Sequence, residues 1–256
     1  MDLLLNNHQT RGLHSLRILN EIETHRELMM SVKNVLDIDS GIGLDSEWWA
    51  TRTDLDDENP QPLDIDVHAI SYVDEMKQEV TNLPNVEYNT APWKFWEGPI
   101  KSKKFDVVWG HCFLHKYHDP YEVLRGINTL QEKDGLLCIT VPKINNFFYN
   151  EPDVRVYPKV YTDINIVNLI YGLALAGYDC RDAYFLQDRN SNLLNFVGYK
   201  DSNDTYEPNE VTVYDLLEME RLPTSMIQQM EKFGYISNKN LLLSWMDGTL
   251  VDYSSI

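Results

Sequence analysis

The sequence is short of cations. Its 22 lysines and arginines stand against 40 aspartates and glutamates, a formal charge of −18. An acidic excess of that size repels phosphate backbones and anionic lipid, so non-specific nucleic-acid and membrane-surface binding are not expected, though a local basic patch is left open. Cysteine is scarce as well. Cys112, Cys138 and Cys180 are an odd set, far apart, with neither zinc spacing nor a disulfide framework, and they read as buried reduced thiols. Long apolar runs are missing: no segment approaches the roughly 20 residues of a membrane span. The opening MDLLLNNHQTRGLHS is too polar for a signal peptide, so the expectation is a soluble, cytoplasmic protein.

What is present is organised around Asn34 to Asp45, NVLDIDSGIGLD. Val35, Leu36 and Ile38 read as a short buried parallel strand with Asp37 inside it, and Gly41 and Gly43 mark a tight turn. A chain leaving a strand through two glycines and entering a helix places backbone N–H groups at the strand's carboxyl end, where α/β sheets bind ligands. A helix is expected before it over His14 to Met30. Another is expected after it over Ser46 to Arg52, capped by Asp45 or Ser46, with Trp48 and Trp49 either flanking a ligand or packing helix to sheet.

Thr53 to Asp66 is acidic, holds two prolines and lacks apolar periodicity, which reads as an exposed loop without the spacing or central glycine of an EF-hand. Further strands are expected near Val67, at Val86 to Tyr88 and at Phe105 to Trp109; Trp93, Phe95 and Trp96 read as stacking residues or as a cover for the sheet edge. His111, His115 and His118 form a His-x3-His-x2-His run. On a helix the first two would share a face, but no carboxylate completes a metal motif, so no metal is expected and His111 or His115 reads better as a general base or substrate contact.

Asp119-Pro120 opens a helix, Leu136 to Val141 forms a strand ended by Pro142, and Asp163 to Ala176 forms a helix capped by Thr162 or Asp163 and closed by Gly177. Asn145 to Pro158 carries Phe147, Phe148, Tyr149 and Tyr157, which read as substrate-shaping residues or as a patch for a partner chain. Tyr178 to Leu186 and Leu193 to Lys200 form an antiparallel pair around DRNSN; beyond a linker, Val213 to Met219 and Thr224 to Phe233 read as helices, and Leu241 to Trp245 as a strand or short helix.

Taken in order, VLDIDSGIGLD at Val35 to Asp45, FDVVWGHCFLHKYHDPYEVLRGINTLQEKDGLLCITVPK at Phe105 to Lys143, and GYDCRDAYFL with LLNFVGYK at Gly177 to Lys200 resemble a class I S-adenosylmethionine-dependent methyltransferase of the small-molecule type. The resemblance implies an α/β, Rossmann-like sheet of seven mostly parallel strands with an antiparallel last strand and helices on both faces. It assigns residues 1–200 to that domain, 1–30 as a helical lead-in, and 201–256 to a C-terminal helical extension. It also implies S-adenosylmethionine as cofactor, near Asp37, Asp39, Ser40, Gly41, Gly43, Ser71, Asn89 and Thr90, and a small-molecule acceptor facing His111 or His115.

Three positions depart from the family's pattern. Asp39 and Asp45 stand where its Asp-x-Gly-x-Gly-x-Gly motif is expected to have its first and last glycines, and Ser71 stands where an acid normally meets the ribose, unless Asp66 or Asp74 substitutes. A methyltransferase-like domain without catalysis, serving as a structural or protein-interaction module, is the alternative these departures raise. A protein partner or a second copy of the chain is compatible with either reading.

Overall fold

The computed structural model describes residues 14–54, 61–71, 78–90, 93–142, 162, 164–188, 193–239 and 241–253. The chain divides into two compact units, residues 1–111 and 112–256.

The first unit is built on β1 (Asn34–Ile38), whose Val35, Leu36, Asp37 and Ile38 are all buried, the pattern of a strand covered on both faces. It runs parallel to β2 (Asp66–Ser71) on one side and β4 (Phe105–His111) on the other, and β3 (Val86–Thr90) runs parallel to β2. The register places Ile38 beside Ile70 and Gly110, Ile70 beside Asn89, and Ser71 beside Thr90, so four carboxyl ends share one edge. At the opposite end the Asp106 carboxylate accepts from the backbone N–H groups of Lys33 and Asn34, both at 2.8 Å.

The helix expected over His14 to Met30 is two helices, α1 (residues 14–23) and α2 (Arg26–Ser31). Thr24 separates them: its hydroxyl donates to the Glu21 carbonyl at 2.6 Å, a local bond that competes with helix continuation. α1 buries Ile18, Leu19 and Ile22. The acidic stretch after Arg52 is less open than its composition implied. Thr53 bridges Pro62, Asp54 N–H donates to the Gln61 carbonyl, and Leu63 and Ile65 are buried, so the loop is pinched at its base; its centre, residues 55–60, lies outside the described residues.

A titratable cluster sits on β2 and β3. Burial first, then the Lys103 ammonium 3.2 Å from Nδ1, push the His68 pKa below its ordinary 6.5, with Glu87 at 3.0 Å opposing. A histidine whose pKa is lower folded than unfolded adds stability above its ordinary value, and that contribution is lost as pH falls. Thermal midpoints taken from about pH 7.5 to about pH 5 should therefore fall more steeply in the wild type than in His68→Gln.

Between β2 and β3 in the chain lies the short α4 (Gln78–Thr81). In the second unit α5 (Pro120–Leu130) begins as expected: the Asp119 side chain accepts from the N–H groups of Tyr121 and Glu122, with Pro120 in the first turn. β5 (Gln131–Pro142) ends at Pro142. α6 (Ile166–Leu175) starts later than expected because Asn165 caps it, accepting from Asn168 N–H at 2.9 Å. Thr162 instead donates its hydroxyl to the Tyr117 carbonyl, and Asp163 lies outside the described residues. Gly177 closes α6 at φ 87, where a Cβ would lie 2.5 Å from the Ser202 carbonyl oxygen.

β6 (Tyr184–Asp188) and β7 (Leu193–Tyr199) follow, β7 antiparallel to both β5 and β6. Sheet order is β3-β2-β1-β4-β5-β7-β6, seven strands with β7 reversed. Beyond it lie α7 (Val213–Glu218), α8 (Thr224–Phe233) and a hairpin of β8 (Leu242–Ser244) and β9 (Leu250–Asp252), so the expected helical extension also carries a small sheet. Cys112 is half-buried and Cys138 and Cys180 are buried, all three as reduced thiols. Among the described residues no helix is long and apolar enough to cross a membrane.

Candidate functional site

At the carboxyl edge of the first unit, β1 gives way to a turn with three left-handed residues, Asp39 at φ 60, Gly41 at φ 56 and Gly43 at φ 87. The turn is held by Ser40 N–H to the Ile70 carbonyl and Gly43 N–H to the Ser40 carbonyl, both 3.0 Å. α3 (Leu44–Ala50) then starts with Gly43 as its N-cap and no side-chain cap, two residues earlier than expected. Read from Asp37, the motif's glycine positions are 39, 41 and 43. Asp39 is thus the one departure, and Asp45 belongs to the first turn of α3, not to the glycine turn.

The two residues expected to cap α3 do other work. The Ser46 hydroxyl donates to Asp37, tying strand to helix. Asp45 accepts from the Ser15 hydroxyl at 2.7 Å and from the Trp109 indole N–H at 2.9 Å, joining α3 to α1 and β4. Trp48 and Trp49 are buried edge to face, and the Arg52 guanidinium lies 4.1 Å over the Trp48 ring, so this pair packs the helix.

The same edge carries most of the other candidates. Ser71 ends β2 and is buried. Asn89 and Thr90 end β3; the Asn89 amide donates to Glu87 at 3.1 Å, and Thr90 is exposed. His111 ends β4, 1% exposed, with Nε2 3.0 Å from Nδ1 of His14 on α1. Asp66, the alternative to Ser71, starts β2, at the far end of the strand from Ser71. Asp74 and the aromatic stretch Asn145 to Pro158 lie outside the described residues. Phe95 is buried in a 3-10 turn with the Trp96 ring 5.1 Å away, and Trp93 is half exposed.

His111 and His115 do not share a helix. β4 runs through His111, the chain bends at Cys112 with φ 59, and His115 is buried in a 3-10 turn, Leu114–Lys116, in the second unit. Among the described residues no three His, Cys, Asp or Glu side chains gather as a metal site. The second unit also holds a cavity of about 240 Å3 where α5 and α6 begin, with apolar walls from Leu114, Leu124, Ile164 and Leu169 and with His118 and Asn168 among its polar lining.

The charge of the first unit's edge is one-sided. Asp37, Asp39 and Asp45 are 1%, 5% and 8% exposed, and no lysine or arginine is buried among the described residues of that unit.

No protein-family model matches the sequence, and neither does any curated protein. Solved structures do match. A protein described as a sarcosine dimethylglycine methyltransferase from Galdieria sulphuraria superposes with a TM-score of 0.53 at 10% identity, over 75% of this chain and 87% of that one. An S-adenosylmethionine-dependent methyltransferase assigned in Listeria monocytogenes gives 0.50 at 13%, over 72% and 100%. The fold is that of the class I S-adenosylmethionine-dependent methyltransferases. The CurJ carbon methyltransferase shares this methyltransferase fold, with a TM-score of 0.51 at 13% identity over 67% of this chain; the present chain spans about half of that structure, 49%. Identities this low speak for the methyltransferase fold and leave the chemistry to the residues.

His14 and Ser15 are the site residues that sequence reasoning missed. Their partners lie 97 and 30 residues away, and the one local signal was a pair of polar residues at the start of an apolar-striped helix.

Proposed function

We propose that the chain is an S-adenosylmethionine-dependent methyltransferase acting on a small-molecule acceptor. The observation that carries this reading is the glycine turn with its buried carboxylates, meeting Ser71, Asn89, Thr90 and His111 at one sheet edge. The acidic edge suits the cofactor's sulfonium and ammonium, both cations, while Asp39, at the first glycine of the turn, stands against its methionine carboxylate. When bound, the cofactor supplies an already activated methyl group.

Asp37 orders the turn through Ser46, and Gly41 and Gly43 let the backbone approach the ligand. Ser71 offers a hydroxyl to the ribose in place of the usual acid, and Asn89 and Thr90 lie toward the adenine. His111, or in its place His115, takes the proton from a protonated acceptor.

The test is calorimetric titration with S-adenosylmethionine and with the demethylated, uncharged product. Binding on the order of micromolar Kd, tighter for the sulfonium by about tenfold, is the expected result. Binding of neither ligand would leave the second reading, a structural or interaction module, which Asp39 favours by setting a buried carboxylate at the first glycine of the turn.

A further inference from the structure

His14 is the first residue described on α1, and its Nδ1 lies 3.0 Å from His111 Nε2, with the ring centroids 5.2 Å apart. Two imidazole nitrogens at that distance hold one proton between them: one is the N–H donor and the other presents its lone pair. The contact therefore couples the tautomers of the two rings. Ser15 fixes the same turn of α1 by donating to Asp45. Asp45 also accepts from Trp109, two residues before His111 on β4.

We propose that His14 is the positioning partner of His111, so that the candidate base is a pair of imidazoles with a set tautomer and not a single histidine. This rests on the reading of His111 as the group that faces the acceptor. In the arrangement where His111 Nε2–H donates to His14, the basic lone pair of His111 is on Nδ1. An acceptor that gains the methyl group gives its proton to that Nδ1. The resulting imidazolium still donates through Nε2–H to His14, which is half-buried and spreads the charge toward solvent.

The experiment is long-range proton–nitrogen NMR of the full chain labelled at histidine nitrogens, with the signals assigned from His14→Ala and His111→Ala. The wild type should show complementary single tautomers for the two rings. In His14→Ala the His111 nitrogens should collapse toward the averaged positions of a tautomer mixture, and His14→Gln, whose amide can donate or accept, should restore a single form. Asn20→Ala, at an exposed position of the same helix, touches neither ring and should leave His111 unchanged. A His111 spectrum identical in wild type and His14→Ala would overturn the proposal, as would an equal disturbance by Asn20→Ala. Titration with S-adenosylmethionine is read separately. Failure to bind would sink the cofactor reading, while the spectra still decide the pairing.

Discussion

Replacing Asp39 by glycine should tighten S-adenosylmethionine binding and leave the fold intact. Two physical terms point the same way. The backbone at residue 39 is left-handed, φ 60, a region where glycine carries no side-chain penalty and aspartate is only tolerated. The side chain is also 5% exposed, which places a carboxylate inside the turn that would meet the cofactor's methionine end. Like charges about 5 Å apart repel by about 3 kcal/mol at an effective dielectric of about 20, so its loss should improve affinity by on the order of tenfold to a hundredfold. The attraction of Asp39 for the cofactor's cations works against this, and the prediction holds where the methionine carboxylate binds nearest the turn. Asp39→Asn separates charge from backbone: it keeps the side-chain volume and removes the anion. If Asn matches Gly, repulsion is the cause; if only Gly binds, crowding and backbone geometry are. Unchanged or weaker binding in both variants, with wild-type melting behaviour, would show that the turn does not face the methionine end of the ligand.

The parts of this fold that the sequence exposes are those governed by local chemistry. Val35, Leu36 and Ile38 mark a buried strand because no polar side chain but Asp37 interrupts them, and Asp119-Pro120 marks a helix start because one residue accepts the orphan N–H groups and the next needs none. The reversed β7 was legible from two β-rich runs around a polar connection. Boundaries set by competition between neighbours were not. Thr24 splits the first helix through one hydroxyl, and Asn165 outcompetes Thr162 as a cap because the Thr162 hydroxyl is turned to Tyr117. Charge counting also fails where carboxylates serve as acceptors. Asp45 reads from its position as a helix cap, yet it lies two residues past the Gly43 cap and instead gathers donors from two other elements. Contacts such as His14 to His111 leave no periodic trace, since one residue near the chain start meets the end of a strand almost a hundred positions on.

Asp45→Ala should be the most damaging single change at the candidate site, and Asp45→Asn a mild one. The alanine leaves two donors without their acceptor in the buried space between α1, α3 and β4. The Ser15 hydroxyl can rotate toward another acceptor, but the Trp109 indole N–H is fixed by a ring that is 2% exposed. At about 1–3 kcal/mol for each stranded donor, the loss is roughly 2–5 kcal/mol, which lowers the thermal midpoint by about 5–15 °C. Asparagine has the shape to avoid this: its carbonyl can accept from Trp109 while its amide donates to a Ser15 hydroxyl turned to accept, so both contacts survive with reversed polarity at one of them. The damage from alanine should be local before it is global. Ser15 is α1's anchor beside His14, whereas the other end of α1 keeps its Glu23 to Arg52 ion pair at 2.9 Å. Hydrogen exchange should therefore accelerate around Ser15 more than near Glu23, with Asp45→Asn close to wild type. Equal exchange along α1 in all three proteins would mean that the apolar stripe of Ile18, Leu19 and Ile22 holds the helix alone. Asp45 would then be a tolerated buried carboxylate and not the joint that sets α1 against the sheet edge.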